Sequence, residues 1–289
     1  MSIWQAVKIL CFRRMKKISV ITVNYNNKSG LLKTVESVFG QESDKFEYII
    51  IDGGSTDGSV ALLEENTDKI TYWISEKDGG IYNAMNKGIA KATGEYLMFL
   101  NSGDYLVNSK ILEMCCVCLN KNLETDILYG DILVDSNFNG ISEEVVYKHP
   151  SALDLKFLTS STINHQASLI RYSLFQEFGF YPETYKIASD YWLFLICLLE
   201  SKKYYYFGYS IVKYDKSGIS AVGNYGNYLA EKRIIWEKLV PAYAKILLNQ
   251  NEELVQQNTN YKHLLNFKIV KGATVIIKIG KLIKKRLYG

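Results

Sequence analysis

The sequence predicts an α/β protein with a mostly parallel central sheet flanked by helices, followed by a helical, basic C-terminal tail. In the first half of the chain, short apolar runs alternate with amphipathic stretches, which is typical of parallel α/β sheets. Polar, glycine-containing segments follow the apolar runs. The 289 residues are 48% hydrophobic and 22% charged with only 3 prolines, a composition typical of a globular protein with a sizeable core.

Four strand–helix units account for most of the first 120 residues. The predicted strands are Lys17–Tyr25, Tyr48–Asp52, Thr71–Glu76 and Tyr96–Asn101, and the helices that follow them are Ser29–Phe39, Gly58–Asn66, Ile81–Ala92 and Ser109–Asn120. Parallel strands end at one edge of a sheet. We therefore expect the polar residues after these strands to meet there, where open α/β sheets bind ligands.

The pattern changes after Asp126. We predict strands at Ile127–Val134 and Lys203–Val212, a polar turn at Asp135–Gly140, and helices at Leu174–Phe178, Asp190–Glu200 and over most of 223–257. Between them lies a long loop region that includes Asn164–His165. The expected organisation is a basic segment at 1–16, an α/β domain at 17–222 and a helical region with a basic amphipathic tail at 223–289.

The charge distribution and the cysteines indicate which partners and which cellular compartment to expect. Residues 1–17 carry five basic residues and residues 262–289 carry eight, with no acidic residue in either, although the net charge of the chain is only +4. Such basic ends favour an anionic membrane or nucleic acid. Among the five cysteines, Cys115 and Cys118 form a Cys-x-x-Cys pair, but no second pair or histidine follows at zinc-site spacing, which indicates thiols in a reducing compartment. No cleavable signal peptide or membrane-length apolar run is apparent, which predicts a cytoplasmic location.

The ends of the first two predicted strands carry residues suited to a nucleoside. In Val23–Asn27, Tyr25 can stack on a planar base and the neighbouring amides can hydrogen-bond to it, although a polar loop start has the same composition. Asp52 ends the second strand and can accept a hydrogen bond from a base or ribose; a structural turn carboxylate is the alternative. Neither a G-x-G-x-x-G nor a P-loop motif is present, which disfavours dehydrogenases and P-loop enzymes.

The later strand ends suggest an anion and a cation. Lys87 follows the third strand, where it can approach an anionic ligand or remain a solvated surface lysine. Asp104 closes the Asn101–Asp104 segment after the fourth strand. A lone carboxylate beside Gly103 leaves room for a divalent cation and a diphosphate, because Mg²⁺ is usually held by one or two carboxylates plus phosphate oxygens.

Together, the segments TVNYNN, DGGSTDGS, GGIYNAMNKGI and FLNSGD, in this order, resemble the family 2 glycosyltransferases of the GT-A fold over about Lys17–Glu200. The resemblance implies a metal, Mn²⁺ or Mg²⁺, on Asp104. It also implies that the donor nucleotide is bound by Val23, Tyr25, Asp52, Lys87, Ser102 and Gly103. The family's Asp-x-Asp motif keeps only its last acid here, and Gly53 replaces the usual second acid after Asp52.

Two further residues acquire roles through the resemblance. Asp190, in ASDYW before an apolar helix, occupies the position of the family's catalytic base; a helix N-cap is a compatible alternative. His165, in NHQ, resembles a His-Gln element of some family members and can contact the diphosphate or the acceptor. Without the resemblance, His165 is more simply a hydrogen-bonded loop histidine.

The resemblance implies an inverting, metal-dependent glycosyltransferase of the hexosyltransferase type. It would move one sugar from a nucleoside-diphosphate sugar to a saccharide acceptor in cell-surface polysaccharide or glycolipid synthesis. The basic tail, Leu264–Leu287, favours a lipid-linked acceptor and peripheral attachment to the anionic inner face of the cell membrane. An inactive sugar-nucleotide-binding protein and a nucleotidyltransferase remain alternatives. Nucleic-acid binding is disfavoured, because the basic residues alternate with Ile and Leu rather than with stacking aromatics.

Overall fold

A computed structural model describes residues 17–138, 141–215 and 225–242, together with residues 244, 245 and 248. Over these residues the chain forms one sheet of nine strands and eight α-helices. The predicted N-terminal segment 1–16, the tail Leu264–Leu287 and the predicted boundary at residue 222 lie outside the described residues, so these three expectations stay predictions.

The strands are β1 Ile18–Asn24, β2 Phe46–Asp52, β3 Tyr72–Ser75, β4 Tyr96–Phe99, β5 Tyr105–Leu106, β6 Ile127–Phe138, β7 Ile141–Tyr147, β8 Ser168–Arg171 and β9 Tyr204–Tyr214. The helices are α1 Lys28–Phe39, α2 Ser59–Glu65, α3 Ile81–Lys91, α4 Ile111–Lys121, α5 Leu155–Ser160, α6 Tyr172–Phe178, α7 Ser189–Leu199 and α8 Tyr225–Leu239. Short 3₁₀ turns occur at Thr67–Lys69 and His165–Ala167.

The sheet has the strand order β3-β2-β1-β4-β8-β6-β9-β5, with β7 paired to β6. Strands β1 to β4 run parallel to one another. Strand β8 then runs antiparallel to both β4 and β6, while β9 is parallel to β6. The predicted α/β class is confirmed, with a parallel first half and a mixed second half.

The central strand β1 is buried on both faces, since all seven of its residues are buried. Val20 belongs to a core shared with α1, α2 and α4, whereas Ile21 belongs to a core shared with α3, α6 and α7. Alternating side chains therefore hold helices on both faces, as period-2 geometry requires. Gly88 of α3 lies against β1, where an added Cβ would stand 2.5 Å from Cγ2 of Ile21.

The second half differs from the sequence expectation in its short elements. The predicted polar turn at Asp135–Gly140 is wrong in its first part, because β6 continues to Phe138 and pairs with β7. The predicted loop region contains α5, the His165–Ala167 turn and β8. Exposed polar residues such as Asp135, Glu143 and Glu144, and the short length of β8, explain why apolar periodicity does not predict the extension of β6, β7 or β8.

A third apolar core joins α5, α7 and α8. Among its buried members are Leu158 of α5, Tyr191 and Leu195 of α7 and Ile235 of α8. This core fixes the start of α7, where Asp190 lies. Among the described residues, no helix is both long and apolar enough to cross a lipid bilayer.

Candidate active site

A cavity of about 460 Å³, the strand-end cavity, opens at the carboxyl ends of β1 and β4. The chain passes from β1 to β2 on one side and returns to β4 on the other, so the cavity occupies the switch point at which such sheets bind ligands. The residues that line it are Val23, Asn24, Tyr25, Asn27, Asp78, Gly80, Ile81, Tyr82, Ala84, Asn101, Ser102, Asp104, His165, Gln166, Lys186, Ile187, Tyr214 and Asp215.

Three residues predicted to bind the donor nucleotide line this cavity: Val23, Tyr25 and Ser102. Tyr25 is 66% exposed, so its ring is available for stacking on a planar ligand. Gly53 lies beside it, where an added Cβ would stand 3.2 Å from the Tyr25 ring and 2.7 Å from a carboxylate oxygen of Asp78. The glycine thus leaves space that both cavity-lining side chains use.

Asp52 is fully buried and is absent from the cavity wall. Its carboxylate accepts hydrogen bonds from Asn24 Nδ2 at 2.7 Å, from Ser75 Oγ at 2.6 Å, and from the hydroxyl and amide of Ser55 at 2.6 and 2.8 Å. Burial acts to raise the pKa of Asp52, but these hydrogen bonds outweigh it and hold the pKa below its ordinary value. Direct contact with a base stays a prediction, and the geometry favours an indirect role in orienting Asn24.

Lys87 is also set back from the cavity. Its ammonium pairs with Glu76 Oε1 at 2.6 Å, with side-chain exposures of 27% and 50%. The ion pair neutralises the charge that was predicted to attract an anionic donor. Binding of the donor by Lys87 stays a prediction that requires this pair to rearrange.

Asp104 lies on the cavity wall and is only 3% exposed. Its Oδ1 accepts a hydrogen bond from the backbone N–H of Asp215 at 2.8 Å. Burial raises the pKa of Asp104 to about 7; the Asp215 N–H and the protonated form of His165 oppose this rise, and the Asp215 carboxylate adds to it. A nearby cation would stabilise the ionised form of this buried carboxylate.

Gly103 brings a second carboxylate close to Asp104. It has a φ of +108°, and an added Cβ would stand 2.5 Å from Oδ2 of Asp215. Within the described residues, no group of three His, Cys, Asp or Glu side chains is arranged to hold a metal ion. The site therefore fits a divalent cation only in the manner usual for Mg²⁺, with one or two carboxylates from Asp104 and Asp215 and the remaining ligands from phosphate and water.

Asp190, the predicted base, forms the centre of a buried hydrogen-bond cluster. Its Oδ2 lies 2.8 Å from Nδ1 of His165, and its Oδ1 lies 3.0 Å from the Tyr82 hydroxyl and 2.8 Å from the Tyr191 amide that donates to it. Asp190 is absent from the cavity wall, whereas His165 and Tyr82 line it. The carboxylate therefore reaches the cavity through its two neighbours.

The two neighbours of Asp190, Tyr82 and His165, differ in how their polar groups are protonated and hydrogen-bonded. Burial, and then the negative charge of Asp190, raise the pKa of the Tyr82 hydroxyl, which therefore remains protonated. His165 Nε2 lies 3.2 Å from Nδ2 of Asn101. Because the amide nitrogen of Asn101 can only donate, Nε2 is the acceptor in this contact, and Nδ1–H therefore donates to Asp190.

The segment before α7 is held from two directions. Glu231 of α8 accepts hydrogen bonds from the backbone amides of Lys186, Ile187 and Ala188 at 2.7, 2.9 and 3.0 Å. On the other side, Asn86 of α3 exchanges two hydrogen bonds with the backbone of residue 181, at 2.9 and 3.0 Å. These contacts fix the approach to Asp190 and close one wall of the cavity.

Several of these residues were not predicted from the sequence. Tyr82 lies in GGIYNAMNKGI, but the apolar periodicity of that segment predicts only which of its residues face the core and assigns no role to Tyr82. Asp215 follows β9 and Glu231 lies in α8, and neither belongs to a recognisable motif. Their contacts with Asp104 and with the segment before α7 are long-range, so only the fold reveals them.

Comparisons with known proteins agree with this geometry. Residues 19–117 match the family described as Glycosyl transferase family 2. An uncharacterized glycosyltransferase of Mycobacterium tuberculosis is 37% identical over 60% of this chain and 65% of its own length. A PGL/p-HBAD biosynthesis glycosyltransferase of Mycobacterium bovis is 29% identical over 60% of this chain and 66% of its own length. The match thus spans slightly less than two thirds of the length of these relatives.

Solved structures show the same fold. S. aureus TarS 1-349 in complex with UDP-GlcNAc superposes with a TM-score of 0.61 and 20% identity, covering 81% of this chain and 67% of that one. The mannosyltransferase PcManGT from Pyrobaculum calidifontis, in complex with GDP-Man and Mn²⁺, gives a TM-score of 0.53 with 14% identity, covering 96% and 93%. The predicted resemblance is therefore confirmed: residues 19–117 match glycosyl transferase family 2, similar proteins are glycosyltransferases, and the solved structures share the fold.

Proposed function

We propose that the chain is an inverting glycosyltransferase of the hexosyltransferase type. It transfers one sugar from a nucleoside-diphosphate sugar to a hydroxyl of a lipid-linked saccharide, in cell-surface polysaccharide or glycolipid synthesis. The observation that carries the proposal is the strand-end cavity, where Tyr25 and Asp104 from the parallel half meet His165 from the mixed half. The names of similar proteins support a nucleotide-sugar donor and a glycolipid product.

On the donor side, Tyr25 stacks on the base, and Val23 and Ser102 border the nucleoside. Asp104, with Asp215 beside it, would hold a divalent cation. When bound, such a cation supplies positive charge that stabilises the nucleoside diphosphate as it leaves. Gly103 keeps the backbone close to Asp215, so the two carboxylates remain together.

On the acceptor side, the proton of the attacking hydroxyl is taken by the Asp190–His165 pair. His165, which lines the cavity, receives it at Nε2 when the acceptor hydroxyl replaces the amide of Asn101 at this nitrogen, and Asp190 stabilises the resulting imidazolium through Nδ1. In this arrangement His165 is the base, and Asp190, the residue predicted to be the base, orients it and stabilises its charge. A single displacement inverts the anomeric configuration and needs no covalent nucleophile on the enzyme.

The test is release of nucleoside diphosphate from a panel of UDP-, GDP-, dTDP- and ADP-sugars, with Mn²⁺ or with chelator. We expect one donor to be turned over, and product analysis to show an inverted linkage. Asp104→Asn should abolish the metal-dependent part, whereas Asp68→Asn, an exposed carboxylate in a surface turn, should not. Nucleotide binding without any turnover would overturn the proposal in favour of an inactive sugar-nucleotide-binding protein.

We also propose peripheral attachment to the inner membrane face through the tail Leu264–Leu287. The sequence of this segment interleaves apolar residues with seven cations from Lys268 to Arg286. Each cation near an anionic leaflet contributes about 1 kcal/mol. Full-length protein should co-sediment with vesicles containing anionic lipid, and a chain truncated after Tyr261 should not. Equal sedimentation of the two proteins would contradict this attachment.

A further inference from the structure

A second cavity, of about 340 Å³, lies between α5, α7 and α8, and we call it the Lys232 cavity. Three cations line it, Lys232, Arg233 and Lys245, together with the aromatic rings of Tyr191 and Trp236 and two leucines. No carboxylate lines this cavity among the residues that the structure describes. Its wall is thus cationic and apolar at once, which suits an anion attached to a hydrophobic group.

Lys232 is the unusual member of this wall because it is only 5% exposed. Its ammonium donates to the carbonyl oxygen of Ser161 at 2.9 Å and lies 4.9 and 6.0 Å from the ring centroids of Tyr191 and Tyr228. In the described part of the chain it forms no ion pair, and burial lowers its pKa to about 8. A buried cation without a counter-charge is costly, and a bound anion would remove that cost.

The other two cations differ in availability. Lys245 pairs with Glu237 at 2.5 Å, so its charge is already compensated. Arg233 is exposed and has no carboxylate within 4.0 Å in the described ranges. Glu231, the acid next to Lys232 in sequence, directs its carboxylate to the amides of residues 186–188. Two uncompensated cations, Lys232 and Arg233, therefore remain for a ligand.

The cavity is also joined to the proposed reaction centre. Tyr191 lies on its wall, and the amide of the same residue donates to Oδ1 of Asp190 at 2.8 Å. We propose that the Lys232 cavity binds the phosphate group of the lipid-linked acceptor, with Lys232 and Arg233 contacting the phosphate and Trp236 contacting the first apolar part of the lipid. The identity of this ligand rests on the proposed function.

The test uses full-length protein with farnesyl monophosphate as the probe, and binding is measured by calorimetry and by intrinsic tryptophan fluorescence. Lys232→Met keeps the aliphatic volume and removes the charge. We expect it to weaken binding by about 10-fold or more, the effect of losing one charge-assisted contact. Arg233→Gln, at an exposed position, should weaken binding in the same direction. Lys238→Met, an exposed lysine on α8 outside the cavity, should leave binding unchanged.

Two further probes test whether the cavity recognises a lipid phosphate or a free phosphate ion. Inorganic phosphate and farnesol should each bind much more weakly than farnesyl monophosphate. Equal affinity for inorganic phosphate would overturn the lipid assignment, and unchanged binding by both Lys232→Met and Arg233→Gln would overturn the site itself. Donor-nucleotide binding by the variants is measured alongside. Donor-nucleotide binding depends on the strand-end cavity and not on the Lys232 cavity. If the wild-type protein binds no donor nucleotide, that result counts against the proposed function rather than against the Lys232 cavity.

Discussion

The two halves of the sheet build their parts of the strand-end cavity in different ways. In the parallel half, β1 to β4, several lining residues lie at the ends of the strands or in the short segments that follow them, as Tyr25 and Ser102 do. In the mixed half, His165 is presented by a turn before β8, and Asp190 by the first turn of α7. The parallel half therefore places its side chains by local chain geometry, whereas the mixed half depends on long-range contacts.

Asp52 and Asp190 illustrate the difference. Asp52 ends a parallel strand, and its carboxylate is fully used by Asn24, Ser55 and Ser75. Asp190 is similarly buried, but one of its partners is His165, a titratable side chain on the cavity wall. The first carboxylate can stiffen the donor side of the cavity. Only the second is linked to a group that can accept a proton from a ligand.

The largest expected effect comes from breaking this link in the mixed half. Asp190→Asn should lower turnover by about 10²–10⁴-fold, the typical contribution of general acid–base catalysis. His165→Ala should cause a loss of the same order. Because the two residues act as a unit, the double variant should be no worse than the worse single variant. Steady-state kinetics with the identified donor measure all three.

Donor-nucleotide binding provides the control for these variants. It should change little in Asp190→Asn, since Asp190 is absent from the cavity wall. Near-normal turnover of a correctly folded Asp190→Asn protein would refute the role of the pair. Multiplying losses in the double variant would show instead that the two residues act independently.

The next effect sharpens the role of the parallel half. Asp104→Asn should weaken Mn²⁺-dependent nucleotide binding by about 10-fold or more, since a charged contact of about 1.5–3 kcal/mol is lost. Binding measured in chelator should be nearly the same for the variant and the wild type. Isothermal titration calorimetry with and without Mn²⁺ gives both values. An equal loss under the two conditions would point to a structural role for Asp104.

The same contrast explains how much the sequence could predict. Strands β1, β2 and β4 were predicted because each is an apolar run followed by polar residues, which include a glycine after β2 and after β4. Their motifs also led to Val23, Tyr25, Ser102 and Asp104. Strand β8 has four residues and β5 has two, which is too short for a periodic pattern. The neighbours of Asp190, and the pairing of Lys87 with Glu76, depend on tertiary distances that no local pattern contains.

A smaller effect is expected from loosening the long-range support of the mixed half. Glu231→Gln weakens three hydrogen bonds to the amides of residues 186–188. We expect a loss of about 1–3 kcal/mol in the free energy of unfolding, together with a lower kcat, because the segment before Asp190 is less firmly held. Glu237→Gln, whose exposed ion pair with Lys245 is worth about 0–1 kcal/mol, is the matched control on the same helix. Equal effects of the two substitutions in urea unfolding would contradict the role of Glu231.

The smallest effect concerns His149, a buried residue of the mixed half that lies 3.1 Å through Nε2 from Oδ1 of Asn164, next to His165. Burial lowers the pKa of His149 below its ordinary value of 6.5, against weaker opposing contributions from Gly130, Asp131 and Asn164. As the pH falls, the His149 imidazole is therefore protonated in the unfolded chain before it is protonated in the folded protein. The free energy of unfolding should fall as the pH drops below about 6.5, by at most about 1.4 kcal/mol per pH unit.

His149→Phe should remove this dependence while it retains the ring contacts with Tyr129 and Tyr147. Asp104 contributes with the opposite sign, because its raised pKa of about 7 gives stability that is lost as the pH rises toward 7. The difference between wild type and variant cancels that contribution and isolates His149. Tyr147→Phe leaves the imidazole in place and should keep the wild-type slope.

Urea unfolding between pH 5 and 8 measures these slopes. Identical slopes for His149→Phe and the wild type would show that the imidazole is not held neutral by the fold.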